Sequence, residues 1–303
     1  GEKYEFLPKS DVLTFEEIGR VAKVFVNMGV KKIRLTGGEP LVRQGIEDLI
    51  RILSKIEGLQ DLTLTTNGYL LFEKAESMKD AGLQRVTVSL DSLNEDVFKQ
   101  MNGRGYGVEK VLAGISKASE VGLSPIKINV VVKKDLNDKT ILDLAKYFKG
   151  TTHIVRFIEY MDVGNINGWK PEHVVPLKEM IDLIGSQVPI VPIDANYKGE
   201  VALRYRYADN SGEIGFIASV TNPFCGDCTR IRLSTDGKLY TCLFGTRGVE
   251  LRKPIRDGAS DEDIRNLITK VWANREDRYS EMRNRLSQYE NDDRKIEMYQ
   301  IGG

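Results

Sequence analysis

Apolar and polar positions in the first half of the chain switch repeatedly between two periods. Stretches with apolar residues three and four apart predict amphipathic helices. They run about Thr14–Met28, Gly45–Ile56, Leu71–Ala81, Asn94–Met101, Val108–Val121 and Lys139–Phe148. Short β-rich runs lie between them at Lys32–Thr36, Leu62–Asn67, Arg85–Asp91, Ile126–Val132 and Ile154–Tyr160. This alternation predicts βα units on a parallel sheet. After Asp162 the pattern changes. A Gly-, Asn- and Pro-bearing connection, Val163–Pro176, leads to a helix near Leu177–Ile184. Two hairpins follow: Val201–Ala208 with Gly215–Val220, and Arg230–Ser234 with Leu239–Cys242 across Thr235-Asp-Gly237. Charged helices around Asp261–Ala273 and Arg278–Tyr289 precede a tail ending Gly302-Gly303.

Side chains alternate faces along a strand. One face carries Ile33, Leu35, Leu62, Leu64, Val86, Val88, Leu90, Ile128 and Val130, which suits a covering layer of helices. The other carries Lys32, Arg34, Thr36, Thr63, Thr65, Asn67, Thr87, Ser89, Asp91, Lys127 and Asn129, with Arg156 joining from the fifth strand. A closed eight-stranded barrel fills its interior with branched apolar residues. A polar inner face predicts an open, partial barrel whose lumen takes a large anionic ligand. A solvated sheet face is the competing explanation, but parallel sheets are normally covered on both sides.

Charge and cysteine usage narrow the chemistry. Lys+Arg and Asp+Glu both total 44, so no overall field draws nucleic acid or a membrane surface. An anion must be caught by local cations. No apolar run reaches the roughly eighteen residues of a membrane span. The three cysteines, Cys225, Cys228 and Cys242, sit together rather than in dispersed pairs, which argues for a reducing, cytoplasmic setting. A structural zinc wants four ligands, and the only histidines, His153 and His173, lie far upstream. A zinc finished by a carboxylate or water, and an iron–sulfur cluster with one open iron, both fit that spacing. Arg230 and Arg232 lie two apart just after the cysteine pair, so on a strand they share a face. Thr36-Gly37-Gly38-Glu39-Pro40 closes the first strand with paired glycines that let backbone approach a ligand. No phosphate-binding loop exists, and Gly103-Arg-Gly-Tyr-Gly107 lacks dinucleotide-binding spacing.

The Gly-Gly-Glu-Pro loop is similar to that of radical S-adenosylmethionine (SAM) enzymes. Together with Thr65-Thr66-Asn67-Gly68, Val88-Ser89-Leu90-Asp91, Arg156-Phe-Ile-Glu-Tyr-Met161, the cysteine spacing and Gly302-Gly303, the chain resembles the MoaA family of GTP 3′,8-cyclases. Those enzymes open molybdenum cofactor biosynthesis. The resemblance implies an α/β incomplete TIM-like barrel over residues 1–175. It implies a C-terminal auxiliary iron–sulfur domain over 176–303. It places SAM on Gly38, Ser89, Met161 and Glu39, and GTP on Arg34, Thr65, Lys127, Arg230 and Arg232, with Lys32 and Arg156 as further phosphate partners. Cys225, Cys228 and Cys242 become ligands of an auxiliary 4Fe-4S cluster whose open iron faces guanine. Gly302 and Gly303 are expected to reach the active site and assist the reaction.

The family's radical-generating 4Fe-4S cluster is held by a Cys-x₃-Cys-x₂-Cys motif, which this chain lacks. It is expected on a segment upstream of Gly1. The implied reaction begins with a 5′-deoxyadenosyl radical that takes H3′ from GTP. The C3′ radical then adds to guanine C8 and is reduced. Expected partners are GTP, SAM, an electron donor and, downstream, cyclic pyranopterin monophosphate synthase, with a monomeric or homodimeric chain. The competing readings are another auxiliary-cluster radical SAM enzyme and a non-catalytic zinc-knuckle module.

Overall fold

The computed structural model describes residues 7–164, 167–286 and 296–302. The first half runs α1 (Phe15–Asn27), β1 (Lys32–Leu35), α2 (Ile46–Ser54), β2 (Asp61–Thr66), α3 (Leu71–Asp80) and β3 (Arg85–Ser89). It continues α4 (Glu95–Asn102), α5 (Val108–Glu120), β4 (Lys127–Val132), α6 (Ile141–Phe148) and β5 (Ile154–Glu159). The second half adds α7 (Leu177–Gln187), β6 (Ile190–Ile193), β7 (Leu203–Tyr207) and β8 (Glu213–Ile217). Three short strands follow: β9 (Arg232–Leu233), β10 (Lys238–Tyr240) and β11 (Val249–Glu250). The chain ends in α8 (Arg252–Arg256), α9 (Asp261–Ala273), α10 (Tyr279–Leu286) and α11 (Met298–Ile301).

Helix starts follow local chemistry. Thr14 and Glu17 form a reciprocal capping box on α1, and Ser260 and Asp263 form another on α9, each satisfying backbone donors with no partner inside the helix. β6, β11, α8 and α11 escape the sequence reading. Pro192 disguises β6, which survives because it is the edge strand, where a missing N–H need not break a ladder. The other three span only two to five residues, too short to show a period. The strand expected from Arg230 begins at Arg232. The predicted helix end at Tyr289 and the site residue Gly303 lie outside the described residues.

One sheet of eight strands has the order β1-β2-β3-β4-β5-β8-β7-β6. Neighbours from β1 through β5 to β8 are parallel, and β7 and β6 are antiparallel. The sheet is therefore mostly parallel and draws strands from both sides of position 175. Its apolar face, including Leu62, Leu64, Val86, Val88, Ile128 and Val130, is buried beneath the helices. The sheet is curled. Strands β1 and β5 are four places apart, about 19 Å if flat at ~4.8 Å per strand. Arg34 on β1 nevertheless acts electrostatically on Arg156 of β5.

The C-terminal elements close this curl from the β1 side. Leu239, Leu251, Ile255, Ile264 and Ile268 pack with Val21 and Val24 of α1 in a second apolar cluster. Arg256 pairs with Glu17, and Arg20 with Asp261. Clamping β10, α8 and α9 onto α1 carries the cysteine segment to the lumen beside β1. No helix among the described residues is long and apolar enough to cross a membrane.

Candidate active site

Register assembles the polar face. Lys32 stands opposite Asp61, Thr63 opposite Arg85, Thr87 opposite Lys127, and Asn129 opposite Arg156. Asp61 pairs with both Lys32, at 3.2 Å, and Arg85. Arg156 donates through Nε and Nη2 to Asn129 Oδ1 at 3.0 and 2.6 Å. Its strand partner is Gly215, where an added Cβ would stand 3.3 Å from Arg156 Cγ, so the absent side chain there makes room for the arginine.

These cations crowd each other. Burial, then the positive charge of Arg34 and Arg85, lowers the Arg156 pKa well below the ordinary arginine value. Burial followed by Arg230 and Arg85 acts in the same direction on Arg34. Burial, then Arg156, Arg85 and Lys32, brings the Lys127 ammonium down to about 7. Arg232 is lowered by burial and by Arg230. Such a cluster is poorly stable without an anion and well suited to one. Thr65 Oγ1, on the same face, is buried with no hydrogen-bond partner among the described residues, which leaves its hydroxyl able to bond a ligand.

The carboxyl ends of β1, β3 and β5 present Gly38, Ser89 and Met161, the rim where ligands of parallel α/β sheets bind. Glu39 accepts from Leu41 N and Thr66 Oγ1 through Oε1, at 3.0 and 2.7 Å, and from Asn67 N through Oε2 at 2.7 Å. Its first role is to lash the glycine loop to the end of β2. The tail lies on this loop. A Cβ on Gly38 would sit 3.6 Å from Tyr299 Cβ, and one on Gly302 would sit 2.3 Å from Thr36 Cγ2. Arg232 Nε donates to the Gly302 carbonyl at 3.3 Å, so α11 bridges the glycine loop and the cysteine segment.

Cys225 and Cys228 flank a single 3₁₀ turn, and Cys242 follows β10. Arg230 Nε and Nη2 both donate to Cys228 Sγ at 3.3 Å. Burial opposes ionisation of Cys228, but the Arg230 charge and its hydrogen bonds outweigh it and lower the thiol to about 7. Burial raises Cys242, whose Sγ accepts from Phe244 N at 3.5 Å. Among the described residues, no three His, Cys, Asp or Glu side chains gather closely enough to hold a single metal ion.

Arg85 and Asp61 escaped the sequence reading, although strand parity puts both on the polar face with Asn129, which was read there. Tyr197 and Glu200, on the loop between β6 and β7, act electrostatically on Arg156 and were not legible at all. Glu200 lines a small cavity with Lys127, Arg156 and Arg204.

Comparison with known proteins adds three findings. Residues 2–148 match the Radical SAM superfamily and residues 153–281 match Molybdenum Cofactor Synthesis C. A GTP 3′,8-cyclase of Acidothermus cellulolyticus is 50% identical over 93% of this chain and 79% of its own length. One from Xanthomonas campestris pv. campestris is 46% identical over 96% of this chain and 84% of its own. The crystal structure of Streptococcus suis SuiB bound to S-adenosylmethionine aligns with a TM-score of 0.56 at 16% identity, covering 80% of this chain and 55% of that one. That last likeness concerns the fold alone.

Proposed function

Because the chain belongs to the GTP 3′,8-cyclase family of the radical SAM superfamily, we propose that its cationic lumen holds the triphosphate of GTP while the cysteine segment and tail frame the reacting sugar and base. The reaction converts GTP to (8S)-3′,8-cyclo-7,8-dihydroguanosine 5′-triphosphate, the first step of molybdenum cofactor biosynthesis. The observation that carries the assignment of residues is the convergence of Lys32, Arg34, Arg85, Lys127, Arg156, Arg230 and Arg232, for which Asp61 is the only salt-bridge partner among the described residues.

Cys225, Cys228 and Cys242 fit an auxiliary 4Fe-4S cluster, which would offer guanine an open iron. All three cysteines of the chain are assigned to it, so none of them is left to hold the SAM-cleaving cluster. What the chain's own residues do is bind, orient and exclude water. Arginine forks grip phosphate oxygens in two-point fashion. Thr65 Oγ1 supplies a neutral hydrogen bond from the lumen wall. Gly38, Ser89 and Met161 line the rim against SAM, and Glu39 holds the glycine loop in place there. Fixing the sugar against its oxidant is where the protein contributes most to such chemistry. An external electron donor completes the reduction, and cyclic pyranopterin monophosphate synthase consumes the product.

Titration of GTP into Arg230→Ala and Arg232→Ala variants tests this assignment. Each loses a charged hydrogen bond of about 1.5–3 kcal/mol, so affinity is expected to fall roughly ten- to a hundredfold with iron content retained. Unchanged affinity in both would remove them from the binding surface.

Lys127 gives the binding a pH signature. The unfolded lysine keeps its proton to about 10.4, whereas the folded one releases it near 7. Between those values the unfolded chain binds more protons, so stability of the ligand-free fold rises with pH across that window. Bound triphosphate recharges the ammonium. GTP binding is therefore expected to take up a proton and to weaken as pH rises above about 7. Calorimetry in buffers of different ionisation enthalpy reads that proton, and Lys127→Met is expected to abolish the uptake.

A further inference from the structure

The last described helix before the tail carries residues that the proposed function does not use. Asp162 directly follows Met161. Its carboxylate accepts from Arg283 Nε at 2.8 Å and from the Tyr279 hydroxyl at 2.6 Å. Arg283 Nη1 also donates to the Ser219 carbonyl at 2.8 Å, so one guanidinium ties the ends of β5 and β8 together. The Arg283 and Asp162 side chains are only 4% and 8% exposed, deep for an ion pair on a helix whose sequence reads as solvated.

The same short helix reaches both cysteine loops. Tyr279 stacks on Phe244 with ring centroids 4.5 Å apart and an interplanar angle of 14°. The Arg283 guanidinium lies 5.4 Å from the Phe244 ring centroid and 5.8 Å from that of Tyr279. Phe244 N is the group that donates to Cys242 Sγ. Glu281, between the two, accepts from Gly226 N at 3.1 Å inside the Cys225–Cys228 turn. Tyr279, Glu281 and Arg283 of α10 therefore touch the Met161 rim and both cysteine loops.

Stability alone explains this poorly. A buried ion pair is costly to desolvate, and apolar replacements of similar volume are often as stable. Arg283 Nη2 is moreover buried without a partner among the described residues. A directional, forked contact does fix distance and angle between the elements it joins, which apolar packing specifies less sharply.

We propose that α10, through Arg283 clamped on Asp162 and on the Phe244–Tyr279 stack, is the positioning element that sets the cysteine loops against the Met161 rim. Arg283 is a positioning residue, acting through Asp162 and Phe244. The inference rests on reading the three cysteines as a cluster site that faces guanine.

The test compares the chain with its Arg283→Met and Tyr279→Phe variants after reconstitution with iron and sulfide. Iron content, GTP affinity and the paramagnetic resonance spectrum of the reduced cluster are measured with and without GTP. Both variants are expected to retain iron, because every cysteine remains, yet to show an altered spectrum. They are expected to lose the change that GTP produces, with GTP bound about fivefold or more weakly. Spectra and affinities matching the unaltered chain in both variants would overturn the proposal while leaving the cluster reading intact. Failure of the unaltered chain to load iron would overturn both. Tyr279→Phe removes one hydroxyl and no ring, so it keeps the test decisive if Arg283→Met unfolds.

Discussion

Replacing Gly302 with valine is expected to reduce cyclised product on the order of a hundredfold while leaving the melting temperature close to that of the unaltered protein. Gly302 has φ +72°, a conformation that suits glycine, and a Cβ there would lie 2.3 Å from Thr36 Cγ2 and 3.2 Å from Gly37 N. A branched side chain must push α11 off the glycine loop and break the contact from Arg232 to the Gly302 carbonyl. The stability cost is small, because α11 is a four-residue terminal element. The functional cost is large, because misplacement of about 1 Å beside reacting atoms can lower the rate about a hundredfold. Product formation, melting temperature and GTP affinity are measured together in the catalytically competent protein. Normal turnover in Gly302→Val would make the tail a mere terminus.

Cys228→Ala is expected to have the second largest effect, stripping most of the reconstituted iron and with it the GTP response of the cluster. The proposed cluster has three protein ligands and keeps one iron open, so loss of one thiolate leaves two anchors. Cys228 is also the sulfur that Arg230 holds, through two contacts at 3.3 Å, so its loss loosens a neighbour proposed above to grip phosphate. Iron and sulfide analysis of Cys228→Ala against the unaltered chain reads the first effect, and GTP titration the second. Full iron retention in the variant would sink the cluster assignment. Stoichiometric zinc in the unaltered chain would favour the knuckle instead.

Where sequence reading succeeded, the determinant was local. The 3.6-residue period of Val21, Val24 and their neighbours, and the capping box of Thr14 and Glu17, specify α1 without help from distant residues. The two-residue alternation in Lys32–Leu35 and Lys127–Val132 separates an apolar from a polar face before any sheet exists. Where it failed, the signal was missing or shared. Pro192 masks an edge strand, and Arg85 has the right parity but nothing in the chain marks it as nearer the lumen than any other strand arginine.

The amino-acid order alone therefore determined the βα alternation, the polar inner face, the clustered cysteines and, through its motifs, the family. Only the tertiary structure decided that Arg34 and Arg156 share one space, that Gly302 rests on Thr36, and that Arg283 meets Asp162 across 121 positions of chain. Periods and caps are written within a few residues by backbone geometry. Convergence of side chains on different strands depends on how the sheet curls and on α1 being clamped by α9. Those are packing outcomes of the whole core, which no short stretch of sequence carries.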